Sequence, residues 1–209
     1  MQKYSELKGK KILVVGLART GVALSKFLVS QGADVTVSDH KSKPELSDYI
    51  EQMEGVPVKY ELGGHNPRTF LQQDLIILSP GISPHLKIFE YARNQGVEVT
   101  GEFEFASSFI DEPVIAVTGT NGKTTVSYLI KQFLKESEIP CWVGGNFGEP
   151  LSSYLMLEEK PKVVIAEVSS FQLEHVKTFT PKNIVFTNLA ENHQDRYKSM
   201  EEYINAKRR

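Results

Sequence analysis

The sequence lacks most features of secreted, membrane-spanning and nucleic-acid-binding proteins. It has one cysteine, Cys141, which excludes an internal disulfide. No apolar run approaches the roughly 20 residues of a membrane-spanning helix, and the polar start MQKYSELKGKK lacks the apolar core of a signal peptide. With a net charge of -2, the chain has no basic stripe beyond Lys207, Arg208 and Arg209. These absences predict a cytoplasmic protein that binds neither a membrane nor nucleic acid, so a bound polyanion is expected to be small.

Short β-branched runs alternate with helical patterns along the chain. Of its 209 residues, 40% are hydrophobic and 24% are charged, a composition typical of a folded globular chain. The alternation predicts an α/β fold with mostly parallel strands. The runs are KILVVG, DVTVSD, DLIILSPG, VEVTG, PVIAVTG, KVVIAEVSS and NIVFTNL. Because Pro113 begins a fresh apolar strand, we place a joint near residue 110, which predicts domains of residues 1–110 and 111–209.

The first half begins with a strand, a tight turn and a helix. KILVVG is followed by GLARTG and then by a helical pattern. The apolar residues that share one face of this helix are Ala23, Leu24, Phe27 and Leu28. This order is typical of a Rossmann-like nucleotide-binding unit. The dinucleotide fingerprint requires glycine where this chain has Ala18, which weakens an NAD-dependent oxidoreductase without excluding it.

Polar residues follow several strands of this half. Arg19 and Thr20 follow the first strand, Asp39 ends the second, and Gly81 follows a later one. Ligands of open parallel sheets bind beyond the carboxyl ends of strands, so these residues are expected to line one crevice. Asp39 either accepts hydrogen bonds from a ligand hydroxyl or imide group, or it caps the next turn. The sequence favours neither alternative.

The stretch VTGTNGKTT, residues 117–125, carries the strongest functional signal. It lies between the apolar run PVIA and the helical pattern VSYLIKQFL, as a phosphate-binding loop does. Val117 stands where the standard pattern has its first glycine, so the loop is a compact variant that starts at Gly119. Backbone N–H groups and Lys123 are expected to hold the β- and γ-phosphates, and the Thr124 hydroxyl to ligate Mg²⁺. The predicted nucleotide-binding residues are Gly119, Thr120, Asn121, Gly122, Lys123, Thr124 and Thr125.

The helix after this loop is expected to hold it firmly. Its apolar residues recur at i, i+3, i+4, i+7 and i+8, a spacing that predicts one buried face. The residues of that face are Val126, Leu129, Ile130, Phe133 and Leu134.

Three further polar residues lie where they could serve a metal site. Glu167 closes an apolar run, and Mg²⁺ bound to nucleotide phosphates takes one or two protein carboxylates. His193 lies in the loop LAENHQDRY after another strand, and Lys207 shares a helix face with apolar residues. Each has a simpler alternative. The glutamate emerges into solvent, the histidine is a surface residue, and the lysine snorkels to water. A buried Lys207 would instead lose its proton more easily and become reactive.

Four stretches of the second half resemble the central ATPase domain of the Mur ligases, namely GTNGKTT, EVSSFQLE, ENHQDRY and YINAK. In the first half, GLARTG, VSDHK, LSPGI and GEFEF resemble the UDP-binding first domain of a member of that family. The resemblance covers essentially the whole chain. It implies a Rossmann-like parallel-sheet UDP-binding domain followed by an incomplete P-loop-type α/β ATPase domain, in a cytoplasmic enzyme of peptidoglycan synthesis.

The resemblance also implies a reaction, the ATP-dependent formation of an amide. ATP would phosphorylate the carboxylate of UDP-N-acetylmuramoyl-L-alanine, and the amine of D-glutamate would attack the acyl phosphate. Lys123 would contact phosphates, while Thr124 and Glu167 would hold one Mg²⁺. His193 and Lys207 would serve a second metal ion, with Lys207 converted by CO₂ to a carbamate. The residues implied to contact the UDP-sugar are Arg19, Thr20, Asp39, His40, Lys41, Gly81, Asn146 and Ser169.

Two departures from the family pattern bear on activity. Asn192 stands where an aspartate usually precedes the metal-binding histidine, and the family continues past the position of Arg209 into the D-glutamate site. We therefore expect the chain alone to have no ligase activity. A non-catalytic module that binds UDP-sugar and nucleotide remains an alternative. A P-loop kinase or another NTPase is a further one, which the leading nucleotide-binding domain disfavours.

Overall fold

The chain divides into two compact units in the computed structural model, which describes residues 2–192 and 196–208. The units are Met1–Phe105 and Ala106–Arg209, whereas the sequence places its predicted joint near residue 110. Within the described residues, no helix is both long and apolar enough to cross a bilayer.

The first unit is a parallel sheet with helices between its strands. Its strands are β1 (Lys11–Val15), β2 (Asp34–Asp39), β3 (Lys59–Leu62), β4 (Leu75–Leu78) and β5 (Glu98–Gly101). Its helices are α1 (Arg19–Ser30), α2 (Ser47–Glu51), α3 (Pro67–Leu71), α4 (Lys87–Asn94) and α5 (Glu102–Ser107), with 3₁₀ turns at Gln2–Leu7 and Pro44–Leu46. The strand order is β3-β2-β1-β4-β5, and every neighbouring pair is parallel.

The predicted α/β fold with parallel strands is confirmed. All four residues of β4 are buried, as are residues 12–15 of β1, since these strands lie inside the sheet and helices cover both of its faces. The sequence did not indicate β3. Its residues KYEL are exposed or half-buried because β3 is an edge strand, and they therefore form no apolar run.

The second unit is a smaller parallel sheet. Its strands are β6 (Val114–Thr118), β7 (Cys141–Gly145), β8 (Val163–Glu167) and β9 (Asn183–Phe186). Its helices are α6 (Lys123–Glu136), α7 (Leu151–Leu155), α8 (Ser170–Leu173) and α9 (Met200–Lys207). The strand order is β7-β8-β6-β9. The sequence did not indicate β7 either, because its run CWVGG ends in two glycines, which favour a turn.

The prediction that α6 buries its whole apolar face is wrong. Leu129 is 46% exposed and Phe133 is 67% exposed. The helix packs on β6, β7 and β8, and Val126, Ile130 and Leu134 are half-buried there. Helical spacing identifies which residues share a face. It does not reveal how much of that face a four-stranded sheet covers.

The turn between β1 and α1 brings two glycines close together. Gly16 has a φ of +98°, and its N–H donates to the Ser38 carbonyl at 2.8 Å. A Cβ atom at Gly21 would lie 2.1 Å from the Gly16 carbonyl oxygen. The first turn of α1 therefore approaches the end of β1 so closely that only glycine fits at position 21.

We expect Gly21→Ala to lower the free energy of unfolding by about 2 kcal/mol, because overpacking against a backbone atom cannot be relieved by rotating a side chain. Gly81→Ala is the matched control, since a Cβ there meets nothing within 4 Å. Urea unfolding followed by far-UV circular dichroism measures both variants. Equal stability of the two would contradict the close approach.

Candidate functional site

The predicted phosphate loop connects the end of β6 to the start of α6. Gly122 is the N-cap residue of α6 and adopts a left-handed backbone with a φ of +79°. Among the described contacts, the N–H groups of residues 122–125 have no protein acceptor. The Lys123 ammonium lies on the same loop and donates to the Thr120 carbonyl at 2.8 Å. Open N–H groups at the start of a long helix, together with a lysine, are the features of an anion-binding site.

Glu167 is buried at the carboxyl end of β8, and two predicted site residues donate to its carboxylate. The exposed fraction of Glu167 is 3%. The Thr124 hydroxyl donates to Oε2 at 2.7 Å, and the Asn146 side-chain amide donates to Oε1 at 2.9 Å. Glu167 therefore does not emerge into solvent. The structure brings it together with Thr124 and Asn146 beside the phosphate loop.

Gly145, the residue before Asn146, explains how β7 comes so close to Glu167. A Cβ atom at Gly145, whose φ is +107°, would lie 2.4 Å from the Glu167 carbonyl oxygen. Without that Cβ, the backbone N–H of Asn146 donates to the same carbonyl at 2.8 Å. Both the backbone and the side chain of Asn146 are thus bonded to Glu167, a role that the sequence did not predict for this residue.

Lys207 is buried under the phosphate loop, with 8% of its surface exposed. Its ammonium donates to the Gly119 carbonyl at 2.9 Å and to Thr118 Oγ1 at 3.3 Å, and it lies 5.1 Å from the centre of the Tyr203 ring. The Lys207 ammonium therefore bonds to the protein interior and does not reach out to bulk water, so the snorkelling alternative is wrong. Burial, and then the nearby charge of Lys123, lower the pKa of Lys207 to about 8.

The predicted metal ligand His193 lies outside the described residues. Just after it, Arg196 and Tyr197 are anchored to Glu174 of the segment that follows α8. The Arg196 guanidinium donates to Glu174 at 2.6 Å and stacks on Phe171, and the Tyr197 hydroxyl donates to Glu174 at 2.6 Å. Although burial opposes it, these hydrogen bonds hold the pKa of Glu174 below its usual value. Within residues 2–192 and 196–208, no three His, Cys, Asp or Glu side chains are grouped as a metal site.

In the first unit, Asp39 organises two turns at the carboxyl edge of the sheet. It is 7% exposed, and its carboxylate accepts the N–H of Leu17 at 2.7 Å and the N–H of Lys41 at 2.9 Å. These two contacts are those expected if Asp39 caps the turns beside it. The other predicted substrate residues of this unit are Arg19 and Thr20 at the start of α1, exposed His40 and Lys41 after β2, and exposed Gly81 after β4.

Ser169 caps α8 rather than lying open at the surface. It is 8% exposed, and its hydroxyl and N–H both donate to the Gln172 side chain, at 3.1 and 2.9 Å. The Gln172 N–H in turn donates to the Ser169 hydroxyl at 3.4 Å. The spacing of serine and glutamine in SSFQ is that of a capping box, a signal that the sequence analysis did not use.

The sequence analysis assigned no role to Thr187 and Asn188, the first residues after β9. Thr187 and Asn188 bond to the phosphate loop through Asn121, and the Thr120 hydroxyl lies 3.0 Å from the hydroxyl of buried Tyr203. A signal for this segment was present. The run NIVF ends in the polar pair TN, just as VVIA ends in Glu167, and the carboxyl ends of parallel strands meet at one edge.

Comparison with known proteins gives the family of the chain. A model of the MurD-like N-terminal domain of Mur ligases matches residues 10–101, and a model of the Mur ligase middle domain matches residues 117–209. The chain belongs to the Mur ligase family. It is 64% identical over 208 residues to the UDP-N-acetylmuramoylalanine--D-glutamate ligase of Bdellovibrio bacteriovorus and 49% identical over 204 residues to that of Desulfatibacillum aliphaticivorans. The first match includes 100% of this chain and the second 98%, and each includes 45% of the relative's length.

Solved Mur ligases share the fold. One is the UDP-N-acetylmuramate:L-alanyl-gamma-D-glutamyl-meso-diaminopimelate ligase from Neisseria meningitides. The match covers 95% of this chain and 66% of that protein, with a TM-score of 0.61 and 18% identity. A second is the UDP-N-acetylmuramate-alanine ligase of Thermotoga maritima. This match covers 94% of this chain and 46% of that protein, with a TM-score of 0.55 and 23% identity. Membership of the Mur ligase family replaces the oxidoreductase and kinase alternatives.

In this Mur ligase chain, we expect the ammonium of Lys207 to lose its proton with a midpoint near pH 8. Below that pH the side chain is an ammonium, and above it a neutral amine able to react with CO₂, whereas an ordinary lysine titrates near pH 10.4. NMR of the ¹³Cε resonances in a lysine-labelled chain measures the midpoint, and Lys207→Met identifies the resonance. Exposed Lys131 is the internal control. A midpoint near 10 for Lys207 would contradict the effect of its burial.

Proposed function

We propose that this chain is the UDP-sugar- and nucleotide-binding part of an ATP-dependent ligase that joins D-glutamate to UDP-N-acetylmuramoyl-L-alanine in peptidoglycan synthesis. The observation that carries the proposal is the hydrogen bond between Thr124 and buried Glu167, beside the open N–H groups of the phosphate loop. The names of the curated relatives indicate the substrates. Because the chain spans 45% of their length, the ligase activity of the complete protein is part of what we propose.

The proposed reaction has two displacement steps. A carboxylate oxygen of the L-alanine attacks the γ-phosphorus of ATP, and ADP leaves. The amine of D-glutamate then attacks the acyl carbon, inorganic phosphate leaves, and the new amide nitrogen loses a proton. Both steps move negative charge, which fixed donors stabilise best. In this chain, the donors available for phosphate oxygens are the N–H groups of residues 122–125 and the Lys123 ammonium.

The oxygen atoms at the end of β8 fit Mg²⁺, which prefers hard oxygen ligands. Thr124 Oγ1 and Glu167 Oε2 lie 2.7 Å apart, so one ion could contact both, and it would supply positive charge beside the phosphates. Asn146 would keep the Glu167 carboxylate oriented through its side-chain amide. We assign His193 and Lys207 to a second ion, with Lys207 as a carbamate, because an ammonium would repel a metal ion.

In the first unit, the UDP site is proposed to lie beyond the carboxyl ends of β1, β2 and β4. Arg19 and Lys41 offer positive charges there for a diphosphate. Asp39 holds the adjoining turns through Leu17 and Lys41, and its Oδ2 has a further lone pair to accept a ligand donor, whereas Oδ1 also lies 3.4 Å from His40 Nδ1. In the second unit, the proposed substrate contacts are Asn146 and Ser169.

Lys123→Ala should weaken the binding of Mg-ATP by about 10- to 100-fold, since a hydrogen bond to a charged group contributes about 1.5–3 kcal/mol. Isothermal titration of the folded chain measures the loss. Lys131→Ala, which removes an exposed lysine from the same helix, should change the affinity less than twofold. Equal losses in the two variants, or no binding by the unmodified folded chain, would contradict a phosphate site at this loop.

Asp39→Ala should weaken the binding of UDP-N-acetylmuramoyl-L-alanine by about 10-fold or more, because two backbone donors lose their shared acceptor and the turns that form the site relax. Asp48→Ala removes an exposed acid from α2 of the same unit and is the control. Titration calorimetry of both variants tests this. The first-unit site would be wrong if the unmodified chain binds the UDP-sugar and Asp39→Ala binds it equally well.

A further inference from the structure

The segment that follows β9, residues 187–190, is bonded along the first half of the phosphate loop. The Thr120 N–H donates to the Asn188 carbonyl at 2.9 Å, and the Ala190 N–H donates to the Thr120 hydroxyl at 3.0 Å. The Thr187 hydroxyl donates to the Asn121 carbonyl at 2.7 Å. These contacts join two loops at the same edge of the sheet, because β9 is the strand next to β6.

The side chain of Asn188 is bonded to both polar groups of the Asn121 backbone. Its Oδ1 accepts the Asn121 N–H at 3.0 Å, and its Nδ2 donates to the Asn121 carbonyl at 3.0 Å. A primary amide can make this pair because it carries an acceptor and a donor side by side. Two hydrogen bonds to one residue fix its rotation, which a single bond does not.

The two glycines of GTNGKTT have different neighbours. A Cβ atom at Gly119 would lie 2.1 Å from the Thr187 hydroxyl and 3.0 Å from backbone atoms of Asn188, so the segment after β9 requires glycine there. A Cβ atom at Gly122 would meet nothing within 4 Å. The first glycine therefore makes room for protein, whereas the second adopts the left-handed turn that begins α6.

We propose that Asn188 is a positioning residue that divides the phosphate loop into a held half and a binding half. The N–H groups of Thr120 and Asn121 are occupied by the backbone carbonyl and side chain of Asn188. Among the described contacts, the N–H groups of residues 122–125 have no protein acceptor and are open to phosphate oxygens. This inference rests on the proposed nucleotide site, and it narrows the predicted contacts by removing the N–H groups of Thr120 and Asn121 from the direct phosphate donors.

Holding Asn121 matters because flexible residues flank it. Without the bonds to Asn188, the glycines at 119 and 122 would leave the backbone of Thr120 and Asn121 free to rotate. Ordering one residue costs about 1–2 kcal/mol in backbone entropy. With Asn188 in place, that ordering is already present before a ligand binds, so the nucleotide meets a formed loop. Without it, binding would have to order the loop, and the affinity would fall.

Amide NMR of the ¹⁵N-labelled chain during titration with Mg-ATP tests the division without any variant. We expect the largest shifts at residues 122–125. The amides of Thr120 and Asn121 should exchange slowly with solvent both before and after the addition, because their acceptors belong to the protein. Shifts at Asn121 as large as those at 122–125, or protection of Asn121 that appears only with the nucleotide, would overturn the proposal.

Variants at position 188 test the role of the side chain. Asn188→Ala should speed the exchange of the Asn121 amide in the free chain and weaken Mg-ATP about 3- to 10-fold, the loss expected for one or two neutral hydrogen bonds. Asn188→Asp keeps an acceptor for that N–H but puts an oxygen in place of the donor to the Asn121 carbonyl, so the protection should be intermediate between that of the unmodified chain and that of Asn188→Ala. Asn183→Ala, at the opposite end of β9, is the matched control and should leave the affinity within twofold.

The outcomes separate this inference from the proposed function. No Mg-ATP binding by the unmodified folded chain would contradict the nucleotide site itself. Normal binding that Asn188→Ala leaves unchanged would overturn only the positioning role, as would loss of affinity without faster exchange at Asn121. If Asn188→Ala fails to fold, the exchange rate of the Asn121 amide in Asn188→Asp decides the question: faster exchange than in the unmodified chain supports the role, and equal exchange would overturn it.

Discussion

The burial of the Glu167 carboxylate is the constraint on which the second unit depends. An ionised acid withdrawn from water destabilises a fold unless donors replace its lost hydration. Thr124 and Asn146 provide such donors at 2.7 and 2.9 Å. They come from α6 and from the residue that follows β7, so one carboxylate at the end of β8 joins three elements at a single point. Gly145 at the end of β7 is explained by the same requirement, since a side chain there would separate β7 from Glu167.

The first unit uses the same arrangement with different residues. Asp39 ends β2, which is next to β1, and accepts an N–H from the turn after β1. Glu167 ends β8, which is next to β6, and accepts a hydrogen bond from the helix after β6. In both sheets, an acid at the end of one strand holds the glycine-containing turn after its neighbour. Parallel strands make this possible because their carboxyl ends, and the helix N-termini that follow, lie at one edge.

The residues that sequence analysis could identify are those whose signal is local. An acid or a GKT triplet after an apolar run has a fixed position relative to its own strand, and the parallel fold then determines the edge at which it lies. Local signals marked Thr124 and Glu167 each as a candidate Mg²⁺ ligand, the family resemblance assigned both to one ion, and their side chains lie in contact. Leu129 and Phe133 share the predicted face of α6 but remain exposed, because coverage depends on the width of the sheet. Likewise, β3 carries no apolar run and the run of β7 ends in two glycines, while the pairing of Asn188 with Asn121 depends on the neighbouring strand.

Lys207 shows how the arrangement of charge favours a polyanion at this site. Its ammonium and that of Lys123 bond to neighbouring loop carbonyls, those of Gly119 and Thr120. Their mutual repulsion adds to the burial that lowers the pKa of Lys207. Both charges lie at the start of α6, where the helix dipole is also positive. The repulsion and the helix dipole disfavour the loop while no anion balances its positive charge, so an anion at this position would stabilise the free chain, as the proposed phosphate site requires. With Lys207 converted to a carbamate, as proposed for the ligase, Lys123 and the helix dipole would provide this stabilisation alone.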